Sequence, residues 1–340
     1  MVKLYSHQLN IIKDDKKKCG LFLGTGSAKT ITALMLAEGS TLVIVPKTLR
    51  DDKTWEKNLE KIEKKVSLTV ISKEDFRLGK FHKKRYNTII FDEAHLVAGA
   101  TPNIRYKNKQ PIPKCSQLFD KINEFLEEYP PQRLYTLTAT PIRSPMCVWG
   151  LARILGVKWN FYEFRDIFYF KVKRGFREFF IPKNDEHTKN RLAKAVQKLG
   201  YTGKLEDYFD VPEQTFRDIF IDQTPEQKKR LEEIELEFPD PLVLIGKRHQ
   251  IENGVLTGDQ FVDEQYINDN KIDVLLDIAL EFPKFVIFAK YTMQIAKIKK
   301  VLEDNGYRVL TLQGDTKDRQ SVIEMAEQAT NVILIIQSQI

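Results

Sequence analysis

Short apolar runs alternate with amphipathic stretches through the first 140 residues. The runs "CGLFL", "TLVIVP", "SLTVIS", "YNTIIFD" and "RLYTLTAT" are β-prone and apolar at consecutive positions, and helix-period patterns separate them. Strands apolar on both faces belong to parallel sheets covered by helices on each side, so the pattern predicts an α/β layer. The stretch after Lys29, "TITALMLAE", is apolar on one side, as a helix lying directly on such a sheet must be. From about 145 to 210 the chain turns aromatic and basic, in "WNFYEFRDIFYFKVKRGFREFF" and "NRLAKAVQKLG", which predicts a mostly helical insertion. Strand-like alternation returns in "VPEQTFRDIFIDQT". From 271 a second α/β pattern follows: helix "KIDVLLDIALEF", strand "FVIFA", helix "QIAKIKKVLEDNG", then strands "RVLTLQ" and "VILIIQ". The expectation is an α/β protein with two parallel-sheet lobes, 1–144 and 211–340, and the insertion at 145–210.

Composition narrows the class. Hydrophobic residues make up 42% and charged ones 30% of 340 residues, ordinary for a globular protein with a large core. The N-terminus has no apolar h-region, and runs such as "LVIV" are too short to span a bilayer. Cys19, Cys115 and Cys147 are odd in number and far apart, forming neither a disulfide framework nor a zinc spacing. An intracellular, cytoplasmic protein with no membrane contact is expected. The net charge of +7 favours a polyanionic partner, although the lysines are spread along the whole chain.

Chemistry concentrates in two places. In "CGLFLGTGSAKTITALML", residues 19–36, the phosphate-loop spacing is kept, but Leu23 and Ala28 replace its two glycines. Gly24, Thr25, Gly26, Ser27 and Ala28 lead from a strand to a helix, where backbone N–H groups and the helix N-terminus can cradle phosphate oxygens. Lys29 is then the group that reaches the β and γ phosphates, and the Thr30 hydroxyl the one that meets magnesium. A glycine-rich strand-to-helix turn is the plain alternative. The second place is "NTIIFDEAHLV", residues 87–97, where a strand delivers Asp92 and Glu93 to the carboxyl end of the sheet. Asp92 suits a magnesium ion with its water shell, and Glu93 suits a base for the attacking water. His7, His82, His187 and His249 form no metal spacing. In the 168–180 stretch, Lys171, Lys173, Arg174 and Arg177 interleave with Phe170, Phe176, Phe179 and Phe180, which reads either as phosphate and base contacts or as helix or hairpin core.

Together with "LYSHQ", "VPKTL" (45–49), the DEAH box at 92–95 and "LTATP" (137–141), this order of motifs resembles the superfamily 2 helicases and translocases. "WGLARILG", "KRHQIENG", "FVIFAKY" and "LQGDTKDR" resemble the Swi/Snf-like branch in its compact phage-encoded form. The resemblance implies two RecA-like lobes, ATP and magnesium as ligands, and movement on single-stranded, forked or duplex DNA; for a phage protein, the compartment is the host cytoplasm. It further implies that Gln8 recognises adenine, that His95, Thr138 and Thr140 couple hydrolysis to movement, and that Lys47, Thr48, Lys290, Gly314 and Thr316 contact nucleic acid. Two alternatives stay open: an RNA helicase, and a nucleotide-gated DNA clamp with little hydrolysis. Ala28 departs from the family's glycine, and a positive φ there would weaken the site. The family's last motif, a helix with arginines that reach the γ-phosphate, has no counterpart, so the second lobe is expected to be incomplete and the natural chain about a hundred residues longer. The resemblance says nothing of oligomeric state.

Overall fold

The computed structural model describes residues 3–175, 177–238, 240–258 and 265–338. The chain forms two compact units, Met1–Glu213 and Gln214–Ile340. In the first, α1 (Ser6–Asp14), β1 (Lys18–Leu23), α2 (Lys29–Leu36), β2 (Ser40–Val45), α3 (Lys47–Asp51), α4 (Thr54–Glu60), β3 (Ser67–Ser72), α5 (Lys73–Leu78) and β4 (Thr88–Phe91) follow one another. A hairpin, β5 (Ala100–Lys107) and β6 (Gln110–Cys115), precedes α6 (Gln117–Glu128), β7 (Arg133–Leu137), α7 (Pro145–Ile154) and α8 (Phe161–Phe168). A second hairpin, β8 (Tyr169–Arg174) and β9 (Arg177–Pro182), leads to α9 (Glu186–Leu199) and β10 (Gly200–Gly203).

Six of these strands form one parallel sheet in the order β10-β1-β7-β4-β2-β3. The consecutive apolar positions have a simple cause. Phe22, Leu42, Ile44, Ile89, Phe91 and Leu134 enter a core with α6, α7 and α8 on one face, while Leu21, Leu23, Val43, Val45, Ile90 and Tyr135 enter a second core with α1, α2 and α4 on the other. Alternate side chains of each strand thus serve opposite faces, and both must be apolar. This is the layering of a RecA-like lobe.

Residues 145–210 pack with the first unit. The helix α7 is apolar nearly all round because nine of its ten residues are buried, and β10 closes the sheet beside β1. Besides three α-helices, the segment holds the β8–β9 hairpin, where the aromatic stretch lies.

The second unit contains α10 (Pro225–Glu237), α11 (Pro241–Glu252), a short pair β11 (Val255–Leu256) and β12 (Gln265–Tyr266), α12 (Asn270–Glu281), β13 (Lys284–Ala289), α13 (Thr292–Asp304), β14 (Val309–Leu312), α14 (Arg319–Gln328) and β15 (Val332–Gln337). Its parallel sheet runs β13-β15-β14. The strand expected in "VPEQTFRDIFIDQT" does not form. Residues 211–224 are irregular, and Phe216 and Phe220 are 89% and 94% exposed, so the alternation there faces no partner strand. Among the described residues, no helix is long and apolar enough to cross a membrane.

Candidate functional site

Four motif loops leave the carboxyl ends of four neighbouring strands. Residues 24–28 follow β1, 138–140 follow β7, 92–95 follow β4 and 46–48 follow β2, and these strands lie side by side in that order. Ligands of open α/β sheets bind at this end, where consecutive connections diverge.

The loop after β1 turns through Gly26 at φ 82° and Ala28 at φ 57°, ψ 38°. Ala28 therefore occupies the left-handed region as the residue before the α2 helix. Its carbonyl oxygen accepts from Gln8 Nε2 at 3.3 Å, from Thr32 Oγ1 at 3.1 Å and from the Thr32 N–H at 3.1 Å. These bonds hold a conformation that a methyl group disfavours by about 1–2 kcal/mol. Ala28→Gly removes that strain but loosens the unfolded chain, which offsets about 0.4–1 kcal/mol. The variant is expected to be slightly more stable, with a gain of up to about 1 kcal/mol in denaturant unfolding; a loss of about 0.4–1 kcal/mol, the unfolded-state term alone, would show that Ala28 stores no strain.

Gly24 cannot carry a side chain, because a Cβ would lie 2.9 Å from the Leu205 backbone nitrogen. Its N–H donates to Gly203 O at 2.9 Å. The segment after β10 thus lies against the loop, with the Leu205 side chain facing Gly26. Ser27 Oγ donates to Gly24 O at 2.7 Å, while Thr25 is exposed and Thr30 half-buried on the first turn of α2. Lys29 Nζ donates to the Leu23 and Gly24 carbonyls, each at 3.0 Å. Burial holds its pKa below the ordinary lysine value, against the pull of the Glu93 and Asp92 carboxylates.

Gln8 is 1% exposed, and its amide is engaged on both sides: Oε1 accepts from the Tyr5 N–H at 2.9 Å, and Nε2 donates to Ala28 O and to Thr32 Oγ1. It braces the loop. His7 Nε2 lies 3.1 Å from Ser27 O, and the His7 ring stacks on Tyr208 at 4.1 Å.

Asp92 is 9% exposed and burial raises its pKa above the usual carboxylate range. Two donors partly offset this: Trp55 Nε1 to Oδ2 at 3.0 Å and the Glu93 N–H to Oδ1 at 2.9 Å. Glu93 sits at φ 46° in the left-handed region. His95 Nδ1 lies 3.4 Å from Glu93 Oε2 and 2.8 Å from Thr138 Oγ1, which in turn accepts from the Thr140 N–H at 3.0 Å. Burial, with Arg143 and Lys73 nearby, keeps the imidazole pKa below its ordinary value, favouring the neutral ring. A histidine bonded to a threonine thus stands beside the Glu93 carboxylate across two neighbouring strand ends.

Lys47 and Thr48 are exposed at the start of α3. In the second unit, Lys290 follows β13, Gly314 and Thr316 follow β14, and Gln337 ends β15. Gln337 Oε1 accepts from the Gly314 N–H at 3.2 Å and its Nε2 donates to Lys290 O at 3.4 Å, while Thr316 Oγ1 accepts from the Gln313 N–H at 2.9 Å. The three expected contacts are thus gathered at one end of that sheet. Phe176 lies outside the described residues, as do the side chains of Arg174 and Arg177.

Nothing in the sequence pattern marks Trp55 or Leu205, and Gln337 lies in the apolar run "VILIIQSQI" with no role of its own indicated there. Each acts through a partner distant in the chain. Among the described residues, no group of three His, Cys, Asp or Glu side chains forms a metal cluster. The oxygen donors of Thr30 and Asp92, with Asp92 buried and short of neutralising charge, fit a hard divalent cation held jointly with phosphate.

No protein-family model and no curated protein matches the chain. Among solved structures it is similar to the Hef helicase domain of Pyrococcus furiosus, at 16% identity over 98% of this chain and 85% of that one, with a TM-score of 0.44. A likeness that distant carries no assignment.

Proposed function

We propose that this protein is an ATP-dependent helicase or translocase acting on DNA. The observation that carries the reading is the set of loops on adjacent strands: a phosphate loop ending in Lys29, an Asp92–Glu93 pair whose charges act on that lysine, and a histidine beside Glu93 bonded to Thr138. Phosphoryl transfer needs positioning and charge neutralisation, and these groups supply both.

In this reading the N–H groups of residues 24–28 and the N-terminus of α2 hold the phosphates, and Lys29 turns from its loop carbonyls to the β and γ oxygens. Thr30 and Asp92 would hold magnesium, which when bound spreads the charge of the phosphates. Glu93 orients the attacking water and takes its proton. His95 carries the change in hydrogen bonding at Glu93 to Thr138 and Thr140. Lys47 and Thr48 of one unit and Lys290, Gly314 and Thr316 of the other grip strand phosphates. Gln8 contributes by fixing the loop and, on the adenine side, by exchanging one of its present partners for the base.

The strained Ala28 favours one second reading, a nucleotide-gated clamp that scarcely hydrolyses. Steady-state ATP turnover with no nucleic acid and with single-stranded, forked and duplex DNA and RNA decides among these. Stimulation by DNA supports the proposal, stimulation by RNA alone transfers it to RNA, and tight ATP-dependent DNA binding without turnover identifies the clamp.

A further inference from the structure

Two hairpins outside the motif loops are strongly basic. Residues 100–115 hold Arg105, Lys107, Lys109 and Lys114 and no acid, and residues 169–183 hold Lys171, Lys173, Arg174, Arg177 and Lys183 against Glu178 alone. Nine cations less one anion give these two hairpins +8, one more than the +7 of the whole chain. The remaining residues sum to −1, although they include a further basic stretch at 77–85, where Arg77, Lys80, Lys83, Lys84 and Arg85 stand with no acid; the hairpins differ from it in carrying exposed rings beside their cations.

The two hairpins adjoin. A groove of about 460 Å³ between them is lined by Pro102 and Asn103 of β5 and by Val172 and Glu178–Ile181 of β8 and β9. Aromatic rings stand out among the cations: Phe170 is 56% and Phe179 44% exposed on the second hairpin, and Tyr106, 71% exposed near the tip of the first, borders with Arg105 and Lys107 a separate groove against α6 and α7. In β8–β9 the pairs Phe170–Ile181 and Val172–Phe179 share one face, while the intervening Phe180 turns the other way and packs under the Arg165 guanidinium at 4.5 Å. The exposed rings are therefore those the core has not claimed. Some of the cations are also unclaimed. Arg105 pairs with Asp120 at 2.5 Å and Lys171 with Glu178 at 2.8 Å, but among the described residues Lys107, Lys109 and Lys173 have no ion pair within 4.0 Å.

Peptide capture by strand addition suits this surface poorly. Pro102, Pro111 and Pro113 remove backbone donors from β5 and β6, so neither edge can pair along its length. Asn108 and Lys109, at φ 51° and 62°, make the tight two-residue turn that projects Tyr106 and Lys107 beside it. Unpaired ammonium groups and exposed rings fit a polyanion that offers both phosphates and unstacked bases, a nucleic acid with unpaired bases such as a strand junction.

We propose that the β5–β6 and β8–β9 hairpins form one contact surface for a nucleic-acid fork, with Lys107, Lys109 and Lys173 on backbone phosphates and Tyr106 and Phe170 against bases where the strands part. This rests on the nucleic-acid reading above and adds where on the first unit, and at what structure, the substrate is held.

The test is anisotropy binding of the whole protein without nucleotide, to forked and single-stranded DNA and to the matching RNA fork, over a series of salt concentrations. Lys107→Gln, Lys109→Asn and Lys173→Gln combined remove three charges, and asparagine tolerates the left-handed turn at 109. This variant is expected to bind the fork at least tenfold more weakly, with a salt slope shallower by about three. Tyr106→Ala with Phe170→Ala is expected to bind the fork about fivefold or more weakly with its salt slope unchanged, since the rings carry no charge. Both should keep the ATP turnover measured without nucleic acid, since neither touches the phosphate loop. Either variant matching the unaltered protein on forks overturns the inference while leaving the proposed function standing. An unaltered protein that binds no nucleic acid overturns both. The tighter of the two fork types identifies the sugar.

Discussion

Glu93→Gln is expected to hold ATP as the unaltered protein does and to turn it over about 10²–10⁴ times more slowly, the usual contribution of a positioned general base. The side chain leaves the end of β4 from a left-handed backbone position, with its Oε2 3.4 Å from the His95 ring and its backbone N–H bound to Asp92. Glutamine keeps that length and one acceptor oxygen but cannot take a proton from water. Nucleotide binding and turnover must therefore separate. Lys29→Ala is the complementary variant: it removes the charge that meets the phosphates and so reduces binding and turnover together, with the fold kept because Lys29 is bonded only to loop carbonyls. A fluorescent nucleotide reports binding and phosphate release reports turnover. Full turnover by Glu93→Gln would remove Glu93 from the role of base.

Local pattern and long-range contact divide what the sequence reveals. Four strands of the six-stranded sheet, β1, β2, β4 and β7, are readable because both faces are buried, which forces consecutive apolar residues at "LFL", "LVIV" and "TIIF", and the edge strand β3 is readable though half-buried. The motif loops are readable because phosphate and metal chemistry fixes residue type and spacing. The sixth strand is not. Its sequence, "GYTG", has two glycines and weak β preference, and it pairs with β1 some 180 residues earlier because a bare backbone is needed there. A Cβ on Gly200 would lie 2.0 Å from the Gly20 carbonyl oxygen. In "FRDIFID" the opposite holds: the alternation is present, but no neighbouring strand receives it, and two phenylalanines stay exposed. Periodicity records what a segment is able to do, while pairing depends on residues far away in the chain.

Trp55 is the sharpest instance, and Trp55→Phe is expected to cost about 1.5–3 kcal/mol of stability at neutral pH, the range for a hydrogen bond to a charged group. On α4 the indole is fully buried among the residues behind the sheet, and its N–H reaches Asp92 Oδ2 at 3.0 Å. Phenylalanine fills most of the space but leaves the buried carboxylate with the Glu93 N–H as its remaining donor from this pair. Burial already raises the Asp92 pKa, and losing the indole raises it further. Below the unfolded value near 3.9 the carboxyl is neutral in both states and the variant loses packing alone. As pH rises past that value, the unfolded chain releases its proton first, and the folded protein meets a growing penalty until its own carboxyl ionises. The stability gap between variant and unaltered protein should therefore widen with rising pH. Denaturant unfolding from about pH 4 to pH 8 measures it, and a gap independent of pH would show that Trp55 only fills space. Asp92→Asn supplies the control: with no charge to stabilise, Trp55→Phe on that background should cost about 0.5–1.5 kcal/mol, as for a neutral hydrogen bond. If Asp92 holds magnesium as proposed, Trp55→Phe also raises the magnesium concentration needed for half-maximal turnover, because the indole no longer fixes the carboxylate that meets the ion.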